Sequence, residues 1–306
     1  MTPHRIPNRL NLAIAAAVMA ACVVLLGAAG RAESAAALGA LALGYGIVMN
    51  TGYALIHEAE HGMFHPSPRW NAAAGVVLAL FFPAPFHLIR QGHLGHHMRN
   101  RSDDEAFDFY FEGENPVWKY AQLYGTLTGM FWLVIALSNF AVVVSPKLLL
   151  PRYGRFDRPT ESLLESLNPR YQRMIRAEAF AAITLHAALM WGFGVAWWRY
   201  AAVLAGFGFI WSAMQYAHHF GAARDVQKGA RNLRTFALID KLWLNHNWHL
   251  NHHMRPTVPW IHLPGLFQGE EYERRGSLTA AYFRMWRGPR FTTERIENRF
   301  AGRIIR

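Results

Sequence analysis

The chain has 306 residues, 52% of them hydrophobic and 17% charged, well below the roughly 25% of charged residues in an ordinary soluble domain, so its class is membrane before anything else. The formal charge is +11, and 15 of the 31 Lys and Arg follow residue 223; in a membrane protein such an excess marks the side facing the cytoplasm and anionic lipid, and it does not imply nucleic acid. Cys22 is the single cysteine, which excludes an internal disulfide and a thiolate metal cluster.

Six stretches free of Asp, Glu, Lys and Arg run through the chain, at 10–30, 34–56, 70–89, 120–146, 179–198 and 200–223. Each has the about 20 residues that a helix rising 1.5 Å per residue needs to cross about 30 Å of hydrocarbon. The first follows Arg5 and Arg9 and has small residues at Ala28 and Ala29, as a signal peptide would. A second apolar run starts after only Arg31, Ala32 and Glu33, so a transmembrane hairpin is the better reading: outward along 10–30, back along 34–56, ending at His57 on the inner face.

The stretch 70–89 is interrupted by Pro83, Pro85 and His87 and is predicted not to span. The connection 147–176 carries seven Lys or Arg against three acids. Positive-inside counting places it inside, which makes 120–146 a re-entrant or interfacial pair of short helices. The same residues would cross if Arg152, Arg155 and Arg158 faced outward. The runs 179–198 and 200–217 then form an outward and an inward crossing, joined near Arg199. No internal repeat or low-complexity linker is present, so residues 1–306 read as one domain. It is an all-α integral membrane protein with four spanning helices, re-entrant or interfacial helices, a cytosolic histidine-rich helical cap and a basic cytosolic tail over 270–306. The implied location is a cell inner membrane, with the histidines facing the cytoplasm.

The 16 histidines are clustered. HEAEH holds His57 and His61; HLGHH holds His93, His96 and His97; QYAHHFG holds His218 and His219; NHNWHLNHH holds His246, His249, His252 and His253. Residues three or four apart on a helix share a face, so each box presents two or three imidazoles to a common point. Adjacent histidines repel one another when protonated unless a metal uses their neutral nitrogens. Nitrogen-rich sites suit Zn, Cu, Fe and Ni. This many imidazoles exceed what one four-coordinate zinc can use, so two metals are implied, and iron is favoured because it activates O2.

Two rival readings use the same residues. HEAEH fits HExxH, in which two histidines bind zinc and a glutamate, here Glu58, is the general base of a protease; that reading leaves the boxes at 93–97 and 249–253 without a role. A metal transporter would need polar groups at mid-membrane, where only His186 is available.

The order HxxxH, HxxHH, HxxHH resembles the membrane fatty acid desaturase and hydroxylase superfamily over about residues 45–265, and HLNHHMRPTVPWIHLPGLF looks especially like its third box with the V-P-W extension. The resemblance implies two non-haem irons at the cytosolic mouth of a four-helix membrane cone, ligated by His57, His61, His93, His96, His97, His249, His252 and His253. QYAHHFG resembles the N-Y-x-E-H-Y-G stretch of membrane alkane hydroxylases, which aligns His219 with a further ligand but puts His218 where that pattern has a glutamate and Gln215 where it has an asparagine. Asp103, Asp104 and Glu105 follow the second box at a distance from which a carboxylate can accept the outer N–H of a ligand imidazole and fix its tautomer, with Asp103 and Asp104 taken as the supporting candidates. Glu58, His65, Gln215, His218, Asn247 and Asn251 are further supporting candidates, while His87, His246 and His262 have no place in the pattern.

The chemistry implied is O2-dependent attack on an unactivated carbon of a long hydrocarbon chain, an oxidoreductase reaction of lipid metabolism. Desaturation of a fatty acyl chain is favoured from the third box; fatty acid or alkane hydroxylation, carotenoid ketolation and alkene-forming decarboxylation use the same ligands. Gly44, Gly46, Gly52 and Ala54 before the first box serve helix packing or a tunnel wall. Electrons must come from an external ferredoxin, rubredoxin or cytochrome, because the chain has no paired cysteines, haem extension or nucleotide loop. The tail arginines Arg284, Arg287, Arg290, Arg295, Arg299 and Arg303 are candidates to steer such an acidic partner.

Overall fold

The computed structural model describes residues 4–274 and 276–305. Helices α1 (Asn8–Ala28) and α2 (Ala35–Glu60) form a hairpin, and the Ser34 Oγ starts α2 by accepting from the Ala37 N–H at 3.1 Å. By length and composition these two can each cross a membrane. Next come α3 (Pro68–Phe81) and α4 (Phe86–Arg99), bent by 102° at the break between them. A two-residue strand β1 (Phe109–Tyr110) precedes α5 (Pro116–Leu127) and α6 (Met130–Val144), which are bent by 88° at Gly129, whose φ of +92° few other residues adopt. If each bent pair counts as one span, the membrane candidates rise to four.

Short α7 (Arg158–Ser166) leads into α8 (Gln172–Gly192) and α9 (Trp197–Met214). Against the expected runs of 179–198 and 200–217, α8 begins earlier and the turn falls at 193–196, where Gly194 takes φ +62°. α8, which contains Arg173, Arg176 and Glu178, and α9, which contains Arg199, are not among the helices apolar enough to span by composition alone. The rest is α10 (Ala237–Leu242), α11 (His249–Met254), α12 (Leu278–Met285) and strand β2 (Arg290–Phe291), which pairs in parallel with β1.

The tip of the α8–α9 hairpin packs on the tip of the α1–α2 hairpin. Arg199 donates to the Gly30 carbonyl at 3.0 Å, and Phe193 and Val195 lie against Gly27 and Gly30. Helices α2 and α9 cross closely enough that a Cβ on Gly206 would lie 2.2 Å from the Ala42 carbonyl oxygen, and one on Gly46 2.9 Å from that of Gly206. Gly46 is therefore a packing residue.

The break between α3 and α4 frees four consecutive carbonyls inside the protein, and each finds a side-chain donor. His186 donates to Leu80 at 2.9 Å, Tyr45 to Phe81 at 2.8 Å, Trp132 to Phe82 at 2.7 Å and Asn139 to Pro83 at 3.0 Å. Tyr200 in turn donates to the other ring nitrogen of His186 at 2.7 Å. Buried carbonyls left unpaired would cost free energy, so these donors are what permits the bend. His186 thus has a structural task, which removes the residue on which a transport path would rest.

Both ends of the α3–α4 pair lie beside the last turns of α2. Asn71, in the first turn of α3, donates to the Ala59 carbonyl at 2.8 Å, and His93 of α4 meets His57 and His61. The α5–α6 pair also returns towards its start: Trp118 and Gln122 of α5 donate to Asp157 Oδ1, beyond α6, at 3.2 and 2.7 Å. Exposed Val134, Leu137, Phe140, Phe180 and Trp191 give the helices an apolar outer surface, as a lipid-facing protein has.

Candidate metal centre

The histidines are delivered by four segments. His57 and His61 occupy the last turn and C-cap of α2, while His93, His96 and His97 share α4. His218 and His219 follow α9, and α11 consists largely of the third box. A six-residue helix has little intrinsic stability, and this one is held by Asn232, whose Oδ1 accepts from the N–H groups of Leu250 and Asn251 at 3.0 and 3.3 Å. The turn before it puts Leu244 and Asn245 at φ +49° and +57°, a conformation costly for leucine.

Nine imidazoles converge in two adjoining groups. His57, His61, His93, His97 and His252 form one, and His96, His219, His249 and His253 the other, with the nitrogens of each group within 4.8 Å of one another. His97 and His253, one from each, stack at 4.3 Å between ring centroids. Ring nitrogens face each other across 2.8 Å (His61 and His93), 3.1 Å (His93 and His97), 2.9 Å (His97 and His252) and 3.1 Å (His219 and His249). Two nitrogens at right angles on one metal, each about 2.1 Å away, would stand about 3.0 Å apart.

These residues fit metal ions by a second test. His57 Nε2 and His253 Nε2 are buried with no hydrogen-bond partner among the described residues, an arrangement that is costly unless something coordinates them. Burial first, and the neighbouring imidazoles after it, hold His249, His252 and His253 well below their ordinary pKa. His219 is lowered in the same way by burial and His96, against a raising contribution from the Gly229 carbonyl. Neutral imidazole is the form that ligates.

Outer ring nitrogens are fixed by second partners. His96 Nδ1 donates to Glu105 Oε2 at 2.7 Å, and His219 Nδ1 donates to the Gly229 carbonyl at 2.8 Å. The carboxylate that meets an imidazole is therefore Glu105, not Asp103 or Asp104. Arg101, at φ +62°, reverses the chain after α4. Asp103 consequently meets Arg224 at 2.5 Å and Arg295 at 2.6 Å, while Asp104 accepts from Ser162 and Asn298 at 2.6 and 2.8 Å.

The other singled-out residues divide. His218 joins neither group; its Nε2 donates to Asn247 Oδ1 at 3.2 Å, and Asn247 donates onward to Asp240 at 3.2 Å. Burial and the nearby His246 lower the His218 pKa to about 3. His246 belongs to neither group but touches both, 5.0 Å from the ring of His57 and 5.2 Å from that of His249. Gln215 accepts from the Tyr53 hydroxyl at 3.4 Å, and Asn251 braces the loops through Asn232 and the Leu263 carbonyl. His65 accepts from the Ser67 N–H at 3.0 Å, His87 pairs with Glu178 at 2.5 Å, and His262 stacks on His4. Glu58 accepts from the backbone N–H of Trp260 at 3.1 Å. It is committed there, and His57 and His61 share their group with three further imidazoles, so the HExxH reading finds no free base.

Glu105 was named only as one of three acids, and Gly229 and Asn232 were not identified from sequence. A backbone carbonyl and a distant asparagine carry no local signal, and Glu105 stood in a run of three acids that spacing alone does not separate.

A family model described as fatty acid desaturase matches residues 32–285 of the chain. The chain is also 27% identical over 220 residues to a protein named beta-carotene ketolase from Paracoccus sp. (strain N81106 / MBIC 01143), a match that covers 69% of this chain and 72% of that protein.

Proposed function

Because the chain belongs to the fatty acid desaturase family, we propose that it oxidises an unactivated carbon of a long hydrocarbon chain with O2 at a centre of two irons. The observation that carries this reading is the convergence of nine imidazoles from four segments into two adjoining groups. The proposed ligands are His57, His61, His93, His97 and His252 for one ion and His96, His219, His249 and His253 for the other. Two irons bound there supply the reduction of O2 coupled to removal of hydrogen from carbon.

The chain's own part is to hold neutral nitrogens in place and to present one carbon. Glu105 and the Gly229 carbonyl set the orientation of two rings. Tyr53 lies one turn before His57 on α2, its ring 6.4 Å from that of His57 and 5.8 Å from that of His246. Phe82 and Trp211 pack on Tyr53 at 5.9 and 5.3 Å. This apolar, aromatic approach suits a hydrocarbon and excludes water from the reacting carbon.

Desaturation of a fatty acyl chain is the outcome that the family's description and the third box favour. It takes two hydrogens from neighbouring carbons and, with O2, two electrons and two protons, yields two waters. A second reading, oxidation of a ring methylene to a ketone, is favoured by the similarity to the beta-carotene ketolase. Either requires an external electron donor. We further propose that α1, α2, α8 and α9 span an inner membrane with the imidazoles on the cytoplasmic side, a reading supported by the shared position of the two hairpin tips.

The test is gas and liquid chromatography of lipids and pigments from cells producing the chain, with a His253→Ala control, beside metal analysis of the purified protein. New double bonds or ketocarotenoids lost in the control, with about two irons per chain, are expected. One zinc and no iron would overturn the reading.

A further inference from the structure

Glu105, the carboxylate that meets His96, sits in a run of turns over 102–108 that ends in the two-residue β1. A segment without helix or long strand is held only by its neighbours. On its inner side Asp103 meets Arg224 at 2.5 Å and Asp108 pairs with buried Arg101. On its outer side it is crossed by the chain from Arg290 onward.

That crossing is bonded to the segment before and after Glu105. Arg290 donates its N–H to the Asp108 carbonyl at 2.9 Å and Thr292 to that of Tyr110 at 3.1 Å, where β2 lies on β1. Asp103 and Ile296 bond each other in both directions: the Asp103 N–H donates to the Ile296 carbonyl at 2.9 Å, and the Ile296 N–H donates to Asp103 Oδ1 at 2.9 Å. Arg295 takes the other oxygen of Asp103 at 2.6 Å, and Asn298 donates to Asp104 Oδ2 at 2.8 Å. Further on, Ile305 is buried. Its N–H donates to the Ser166 carbonyl at 2.9 Å, and its carbonyl accepts from Asn168 Nδ2 at 3.2 Å. The Asn168 N–H in turn donates to Gln91 at 2.6 Å, on the helix that carries the second histidine box.

The end of the chain is therefore not a free basic arm, because Arg295 is committed to Asp103 and Ile305 is anchored. It also lies beyond residues 32–285, which the family model matches. We propose that residues 290–305 form a strap that positions Glu105 on His96 and so sets how tightly the second ion is held, with Arg295 and Asn298 as positioning residues. This rests on the reading of His96, His219, His249 and His253 as the ligands of one ion. The strap touches none of these rings directly. It acts through Asp103 and Asp104, which fix the backbone from which Glu105 reaches the His96 Nδ1 at 2.7 Å.

The experiment uses the full chain in detergent micelles, loaded with cobalt(II) in place of iron because its visible bands report the ligands around each ion. Chelator titrations are run on the unsubstituted protein and on the double variant Arg295→Ala with Asn298→Ala, and on both again in a Glu105→Ala background. The double variant is expected to release one ion at about ten-fold lower chelator concentration and to shift that ion's band, while the other ion is held as before. In the Glu105→Ala background the same substitutions are expected to change release by less than about two-fold, since the carboxylate they act through is gone. Arg295→Lys alone keeps a cation on Asp103 and retains the native release, as does Arg299→Ala at an exposed site. Equal weakening of both ions, an equally large effect without Glu105, or unchanged release in the double variant each overturns the assignment. A protein that holds fewer than two ions before any substitution would instead defeat the two-metal reading, and the strap's role falls with it.

Discussion

His96 and Glu105 are joined by a 2.7 Å hydrogen bond from ring Nδ1 to carboxylate Oε2, and the other carboxylate oxygen lies 2.5 Å from Arg99 Nε. Burial raises the Glu105 pKa, but Arg99 and His96 together outweigh it and hold the group below the usual carboxylate range. The anion thus fixes which nitrogen of His96 faces His219, His249 and His253.

Replacing Glu105 by Gln keeps an acceptor but removes the charge. Loss of such an outer partner lowers metal affinity by about 10- to 100-fold. Glu105→Gln is expected to lose iron to a chelator at correspondingly lower concentration, and Glu105→Ala to lose more. Competition titrations read this directly; iron retention equal to that of the unsubstituted protein in both variants would show that the bond is ornamental.

A buried lock holds the segments on either side of the second group together. Arg101, fully buried, pairs with Asp108 at 2.5 and 3.1 Å and donates to Tyr216 at 2.5 Å, while Asp108 also accepts from the Gly221 N–H at 2.8 Å. Removing one member strands a charge, at a cost of about 3 to 5 kcal/mol. Arg101→Met is expected to lower the thermal midpoint sharply, and the double variant Arg101→Met with Asp108→Leu to recover much of it. Arg303→Ala at an exposed site serves as control and should be within about 0.5 kcal/mol. If the double variant is as unstable as the single one, the stranded-charge account fails.

The membrane class and the clustering of histidines were legible because apolar run length and box spacing are local signals. The hairpin 8–60 needed only two uncharged runs and the short turn around Arg31, and Pro83 and Pro85 announced the break after α3. Less legible was what makes that break tolerable, since Tyr45, Trp132, Asn139 and His186 come from three other helices. The α8–α9 turn was placed at its charged residue, Arg199, whereas Gly194 sets it and Arg199 reaches back to Gly30. At the site, Asp103 and Asp104 stood nearest the second box in sequence, yet the left-handed Arg101 turns them towards Arg224, Arg295 and Ser162 and gives the contact to Glu105. Direction after a reversal is a tertiary property that spacing does not carry.

Without metal, the buried imidazoles make the protein acid-sensitive. His219, His249, His252 and His253 are held well below pKa 6.5, and His246 is lowered by burial to about 4. In the unfolded chain each binds a proton near pH 6.5 and in the folded chain it does not, so folding stability falls as pH drops below 6.5. The loss is about 1.4 kcal/mol per pH unit for each such group, continuing until the folded pKa is reached. Iron-free protein is expected to lose thermal stability steeply between pH 6.5 and 5, and iron, which binds only the folded state, to raise the midpoint at each pH. A flat profile for the iron-free protein over that interval would refute the assignment of these rings as neutral and buried.

The orientation in the membrane can be read with thiol labels, because Cys22, buried in α1, is shielded from a polar maleimide. Glu33 and Ala196 are exposed at the two hairpin tips, which the Arg199 to Gly30 hydrogen bond holds together. Glu112 precedes α5 and Arg170 follows α7; both are exposed. The bonds from Trp118 and Gln122 to Asp157 tie the start of α5 to the chain beyond α6, so the proposed topology puts the two ends of that bent pair on one side. In intact cells, Glu33→Cys and Ala196→Cys are expected to react with an impermeant maleimide, and Glu112→Cys and Arg170→Cys only after permeabilisation. Labelling of Glu112→Cys and Arg170→Cys from opposite sides would make α5 and α6 a true crossing. The basic connection 147–176 and the imidazoles of α4, on which α7 packs through Leu163 and Gly92, would then have to be reconciled with a different membrane plane.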